Sequence, residues 1–172
     1  MTFLELINAV LREVNEVELT TLVSSRGIQT SVKDFINKSQ RDIINSEVEW
    51  PFTVTAGTIT TTAGTGEYTK PAAAKTIDFD SFTIQESATT SEKISFNEYL
   101  ELLNEADTNP TGGGQALPQY VYFTPDEKIG LSPVPDLATY TARYYYYATH
   151  TDMVVATDTP VIPERFHDVI VN

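Results

Sequence analysis

Residues 47–56, Glu47-Val48-Glu49-Trp50-Pro51-Phe52-Thr53-Val54-Thr55-Ala56, carry the change of hydrophobic period that decides the fold of this chain. Before Trp50, apolar residues recur at three- and four-residue steps; after Pro51 they alternate with threonine. The first period is that of an amphipathic helix, the second that of a half-buried strand. Pro51 separates them, because the residue before a proline is pushed out of the helical region.

Upstream, a helix is predicted from about Ser31 to Ser46, with Val32, Phe35, Ile36, Ser39 and Ile43 on one face and Lys33, Lys38, Arg41 and Asp42 largely on the other. Arg26-Gly27 marks a turn before it. Residues 2–17 predict a first helix, with Phe3, Leu6, Ile7, Val10, Val14 and Val17 at helical spacing, and Thr2 and Glu5 have the spacing of a capping box. Two such helices bury both faces poorly and want a third.

Downstream, Ile59 sits between Thr58 and Thr60, Gly64-Thr65-Gly66 makes a turn, and Tyr68 begins a short return that Pro71 interrupts. Lys75–Gln85 is the clearest strand of this region. Its alternation, Ile77, Phe79, then Phe82, Ile84, slips by one at Asp80-Ser81, which predicts a β-bulge. A short helix is expected from Ser95 to Ala106 and a polar loop through Asn109-Pro110 and Gly112-Gly113-Gly114. A hairpin, Gln119–Thr124 with Lys128–Leu131, turns about Pro125-Asp126, and a longer strand follows over Ala138–Thr149. After an extended Val154–Ile162 stretch, Pro163 is placed as the first residue of a helix over Glu164–Val171. So short a helix is marginal alone; it is expected either to be the missing third helix or to order against a partner. The fold class is therefore α+β: an amphipathic helical bundle of two N-terminal helices plus a C-terminal helix, with an inserted antiparallel β-domain. The expected organisation is 1–51 helical, 52–162 β-rich, and 163–172 returning to the helices.

The 172 residues hold 24 Asp+Glu against 11 Lys+Arg, a formal charge of -13 and a pI near 4.4. A chain this acidic repels phosphate backbones and has no basic foothold on an anionic membrane. With no cysteine, disulfide scaffolds, thiolate metal sites and thiol catalysis drop out. No apolar run of about 18 residues and no basic region before a hydrophobic stretch occur, so neither a membrane span nor a signal peptide is expected. Threonine, 25 of the 172 residues, lies mostly after residue 50, as strands prefer.

Catalytic patterns are absent. His150 and His167 have no partner at metal-ligand spacing, and surface or capping roles are expected of them. Asp78 and Asp80, two apart on one strand face, are the best carboxylate pair; a solvated face explains them more simply than acid–base work. The glycine-rich stretches at 64–66 and 112–114 lack the lysine and strand-to-helix context of a phosphate loop, and no nucleophile elbow appears. Asn37-Lys38-Ser39 matches a glycosylation pattern, which carries no weight without a secretory route. No enzyme activity, metal or cofactor is expected.

The unusual local feature is the strand through Tyr140, Arg143, Tyr144, Tyr145, Tyr146 and Tyr147. Tyr140, Ala142, Tyr144, Tyr146 and Ala148 share one face, while Thr141, Arg143, Tyr145, Tyr147 and Thr149 share the other. One face can cover a core. The other is explained by cross-strand packing against Tyr120 and Tyr122, by a protein–protein interface anchored on Tyr and Arg, or by a stacking platform for sugars or single strands. With a single arginine on this strand and a chain charge of -13, the nucleic-acid version loses.

At this point the order of parts resembles the head-to-tail adaptor proteins of short-tailed bacteriophages, the group often called tail tubular protein A. The resemblance covers nearly the whole chain. It is strongest at Trp50-Pro51-Phe52, where the second helix exits, and at Ile162-Pro163-Glu164-Arg165-Phe166-His167-Asp168, where the chain returns to a helix. The resemblance implies a ring, expected to be twelve-fold, between the portal protein and the tail nozzle protein. It implies a place in the neck of the virion after assembly in the host cytoplasm, with DNA passing through without sequence-specific binding and with no membrane contact. Members of that group usually continue through a longer C-terminal helix and tail that grips the portal, whereas this sequence stops at Asn172. Pro163, Arg165 and Phe166 then join Arg143, Tyr145 and Tyr147 as candidate subunit or partner contacts. The alternative is a phage tail or receptor-binding module holding carbohydrate on the tyrosine-rich face.

Overall fold

A computed structural model describes residues 1–84, 89–107, 114–137 and 139–171. By contacts the chain divides into two compact units, residues 1–53 with 149–171, and residues 54–148. It is an α+β fold.

In the first unit, α1 (Phe3–Glu13) starts at a capping box: Glu5 N–H donates to Thr2 Oγ1 at 3.4 Å, and Thr2 N–H donates to Glu5 Oε2 at 2.7 Å. Phe3, Leu6, Ile7, Val10 and Leu11 form its buried stripe. The helix ends four residues earlier than its apolar spacing predicts. Asn15 takes a left-handed φ of 56°, its N–H donates to Arg12 O at 3.1 Å, and Glu16 N–H donates to Leu11 O at 2.8 Å. This is the Schellman closure, in which the last carbonyls are satisfied by a chain turning away. Val17 is consequently 76% exposed rather than on the buried stripe.

α2 (Ile28–Ser46) begins three residues before the predicted start, just after Gly27, whose φ of 54° makes the turn. Its buried row is Val32, Ile36, Gln40 and Ile44, a four-residue stride; Phe35, expected on this face, is exposed instead. Residues 149–162, expected with the β-rich part, group with the helices. Asn37 clamps Met153 through both amide atoms, accepting from Met153 N–H at 2.9 Å and donating to Met153 O at 3.0 Å. Gln40 Nε2 donates to Thr151 O at 3.1 Å. Asp158 folds the following loop by accepting the N–H groups of Val154 and Val155 at 2.6 and 2.8 Å. Met153 and Ile162 thereby enter the core formed by α1 and α2.

The return continues as a 3₁₀ turn, Glu164–Phe166, and then α4 (Asp168–Val171), so the helix predicted from Glu164 is split at His167. Four residues cannot hold a helix alone; α4 stands because it packs on both α1 and α2 with Ile170 fully buried.

The second unit contains β1 (Val54–Thr60), β2 (Glu67–Thr69), β3 (Ala74–Ile84), β4 (Thr89–Thr90), β5 (Glu92–Lys93), α3 (Phe96–Asp107), β6 (Tyr120–Phe123), β7 (Lys128–Ser132) and β8 (Thr141–Ala148). They form two four-stranded sheets, ordered β1-β8-β3-β4 and β2-β7-β6-β5. The sequence predicted antiparallel pairing throughout; β5 and β6 instead run parallel, which makes the second sheet mixed. The connection between them is long enough for a parallel crossover because α3 lies in it.

β8 is central to its sheet, and its inward residues Ala142 and Tyr144, with Tyr140 just before it, are buried with Phe82, Ile84 and Val121. Phe82 stacks on Tyr144 at 4.6 Å and 2°. In the second sheet Tyr122 stacks on Tyr99 of α3 at 3.9 Å. Two glycines make room for the buried rings: a side chain at Gly57 would overlap Tyr144, and one at Gly130 would overlap Tyr122.

The bulge expected at Asp80-Ser81 is present. Between the pairs Asp78↔Tyr145 and Thr83↔Arg143, β3 advances five residues while β8 advances two. Ser81 substitutes for the missing ladder: its Oγ accepts from Tyr145 N–H at 2.8 Å and donates to Asp78 O at 2.6 Å. Asp78 caps the same excursion, its Oδ1 accepting from Asp80 N–H at 3.1 Å.

Candidate assembly surfaces

The helical unit carries an open apolar cleft of about 180 Å³, lined by Ile43, Trp50, Phe52, Ile162, Phe166 and Val169. One wall is the exit of α2. Trp50 Nε1 donates to Ile43 O at 3.0 Å, which satisfies a carbonyl of the last helical turn and lays the indole across it. Pro51 starts a 3₁₀ turn, Pro51–Thr53, that brings Phe52 against Trp50 at 5.2 Å between rings.

The other wall is the return segment, which His167 fixes. This ring is buried between Ile162 O, 2.8 Å from Nε2, and the amino group of Met1, 3.1 Å from Nδ1. A carbonyl only accepts and an ammonium only donates, so Nε2 carries the proton and Nδ1 accepts. Met1 also pairs with Glu164 at 3.1 Å. The return segment is thus tied to the start of α1. Phe166, with the Arg165 guanidinium 4.8 Å from its ring centre, remains 43% exposed, and Val169 is 62% exposed. Among the described residues no titratable group lines this cleft, so they let it hold an apolar side chain and supply no acid, base or nucleophile there.

In the β unit, the outer face of the first sheet carries a shallow depression lined by Ala56, Thr58, Ser81, Thr83, Arg143 and Tyr145. The β pleat places them there: Gly57 and Ile59 point inward and are buried, while Thr58 and Arg143, cross-strand neighbours, are exposed. Tyr145 is 51% exposed and Tyr147 half-buried.

Every predicted contact residue is therefore accessible in part, in two groups: Arg143, Tyr145 and Tyr147 on β8, and Pro163, Arg165 and Phe166 on the return segment. Packing against Tyr120 and Tyr122 does not explain the outer tyrosines, since those two belong to β6 in the other sheet and β8 pairs with β1 and β3. His150 lies beside Arg41 and Asp152, at 3.0 and 2.9 Å. These contacts hold the Asp152 carboxyl below its usual range, the His150 bond first and Arg41 next. His167 is a buried tie rather than a surface residue. Among the described residues no group of three or more His, Cys, Asp or Glu is placed to hold a metal. Most of the glycine-rich loop, residues 111–113, lies outside the described residues, as do Asn109 and Pro110.

The cleft itself was not foreseen. In the sequence Trp50 and Phe52 stand as the end of a helix, the start of an alternating run and part of a resemblance, and Ile43 and Val169 only as residues of predicted helices. The hint available was that the two segments most like the adaptor proteins, far apart in sequence, each place an aromatic residue near a proline: Trp50 and Phe52 around Pro51, and Phe166 after Pro163.

The chain thus presents two partly exposed surfaces bearing aromatic side chains, one in each unit. Over residues 1–172 the chain matches the family model described as SU10 adaptor protein, and it belongs to that family. The family makes it a structural adaptor of a bacteriophage particle. No curated protein matches the chain. Among the described residues no helix is long and apolar enough to cross a membrane.

Proposed function

We propose that the protein is the head-to-tail adaptor of its virion, a ring of copies, expected to be twelve, that joins the portal protein to the tail nozzle protein in the neck and continues the DNA channel. The observation that carries this reading is the cleft: Trp50-Pro51-Phe52 and Ile162–Phe166, the two segments that resemble adaptor proteins, converge on one open surface whose described lining is apolar. A cleft of this kind takes up an apolar side chain of a partner, the usual anchor of a stable interface.

The acidic composition fits the same role. Each copy carries -13, so twelve carry 12 × -13 = -156. Such a ring does not adhere to DNA, and the genome slides past it. The Tyr145 and Arg143 face and the Phe166 cleft supply contacts of the sort that bury above roughly 1,000 Å² in a stable interface.

The test is negative-stain microscopy of the purified protein mixed with portal rings. Capped portals are expected. Phe166→Ala, Arg143→Ala and Tyr145→Ala should each reduce capping while circular dichroism shows the fold retained. Bare portals with the wild-type protein, or undiminished capping by all three variants, overturn the reading.

A further inference from the structure

β1 is an edge strand: among the described residues β8 is its one strand partner, in the sheet order β1-β8-β3-β4. Which of its backbone groups face outward follows from the ladder. Thr61 N–H donates to Tyr140 O at 2.9 Å across directly opposed residues, so Ile59↔Ala142 and Gly57↔Tyr144 are hydrogen-bonded pairs in turn. The N–H and C=O groups of Val54, Ala56, Thr58 and Thr60 therefore point away from β8. All four residues are exposed.

Sheet edges are ordinarily guarded by charge, proline or a covering element. This one is not. From Pro51 to Gly66 the chain has no charged residue, although 20% of the whole is charged, and no proline lies within β1. At the other side of the same sheet β3 carries Asp78 and Asp80. In a protein of charge -13, an uncharged strand is where two copies approach with least repulsion; a basic partner would be held better by the acidic surface elsewhere.

We infer that the open edge of β1 is a strand-addition site occupied by an extended segment of a second copy of this chain. The inference deepens the ring reading and rests on it for the identity of the neighbour. Strand addition gives backbone hydrogen bonds as its source of affinity, which suits an edge with small side chains.

Hydrogen exchange followed by mass spectrometry on a peptide spanning 54–60 tests it, with the molar mass of the purified protein measured over the same concentration series. In the monomer the outward amides of Val54, Ala56, Thr58 and Thr60 should exchange fast, and they should become protected in step with the rise in mass. Thr58→Glu, which gains an opposite charge across from Arg143 but places a carboxylate on the edge, and Ala56→Pro, which removes an outward N–H, should both stay folded and lose that protection and the mass increase. Oligomers that form with the four amides unprotected overturn the inference, as does a chain that stays monomeric throughout, and protection seen only when another virion protein is added assigns the edge to that protein instead. Micrographs of the particle neck separate the two readings. A neck ring without edge protection leaves the adaptor reading standing, and concentration-linked protection with no protein in the neck leaves the edge assignment standing.

Discussion

Asn37 is a polar residue on an amphipathic helix, yet its two amide atoms hold the backbone of Met153 from 116 positions away. Substituting alanine leaves a part-buried N–H and C=O without partners, at a cost of about 1–3 kcal/mol. Urea unfolding of Asn37→Ala is expected to show that loss with an unchanged slope. Gly130 is a second such position, because any side chain there meets the buried Tyr122 ring. Gly130→Ala should destabilise by about 1–3 kcal/mol, the usual cost of overpacking, read as a lower unfolding midpoint. Neither role was legible in the sequence. Asn37 there was part of an idle glycosylation pattern, and Gly130 was one residue of a hairpin strand; both depend on a partner that only the tertiary fold supplies. The same holds for His167, whose burial comes from the chain start folding against it.

The periodic elements were legible, since local spacing and pleat alone set them. The two faces of β8 emerge as expected, with Tyr144 inside and Tyr145 outside, and the slip at Asp80-Ser81 is a real bulge. What spacing did not reveal is where a periodic run stops. Val14 and Val17 continue the pattern of α1, but Asn15 turns the chain left-handed and ends the helix. Partner strands were also hidden, because pairing of β8 with β1 and β3 is long-range. The capping box makes a local prediction: Thr2→Ala should lower stability by about 1 kcal/mol, seen as a reduced thermal midpoint. The loop clamp makes a pH prediction. The Val154 and Val155 N–H groups hold the Asp158 carboxyl below its ordinary 3.8. A carboxyl with a depressed folded value contributes stability above its unfolded value and loses it as pH falls through the folded one. Thermal midpoints should therefore be level near neutrality and drop below about pH 4, with a smaller drop in Asp158→Asn.

For the whole molecule, charge and contact divide the labour. Two surfaces stand out for being uncharged in a protein of -13: the aromatic cleft of the helical unit and the β1 edge of the β unit. Adding salt should strengthen association between copies by screening their repulsion, which sedimentation at low and high ionic strength would register. The family and the broad architecture were within reach of the sequence because Trp50-Pro51-Phe52 and the Ile162–Asp168 segment are local signals. Their convergence on one cleft was not, since nothing in either segment specifies the other. The most direct measurement is electron cryo-microscopy of the portal mixed with this protein. The account predicts a ring of copies on the portal with Trp50 and Phe166 covered at a protein contact; a portal left bare, or a ring in which that cleft faces solvent, contradicts it.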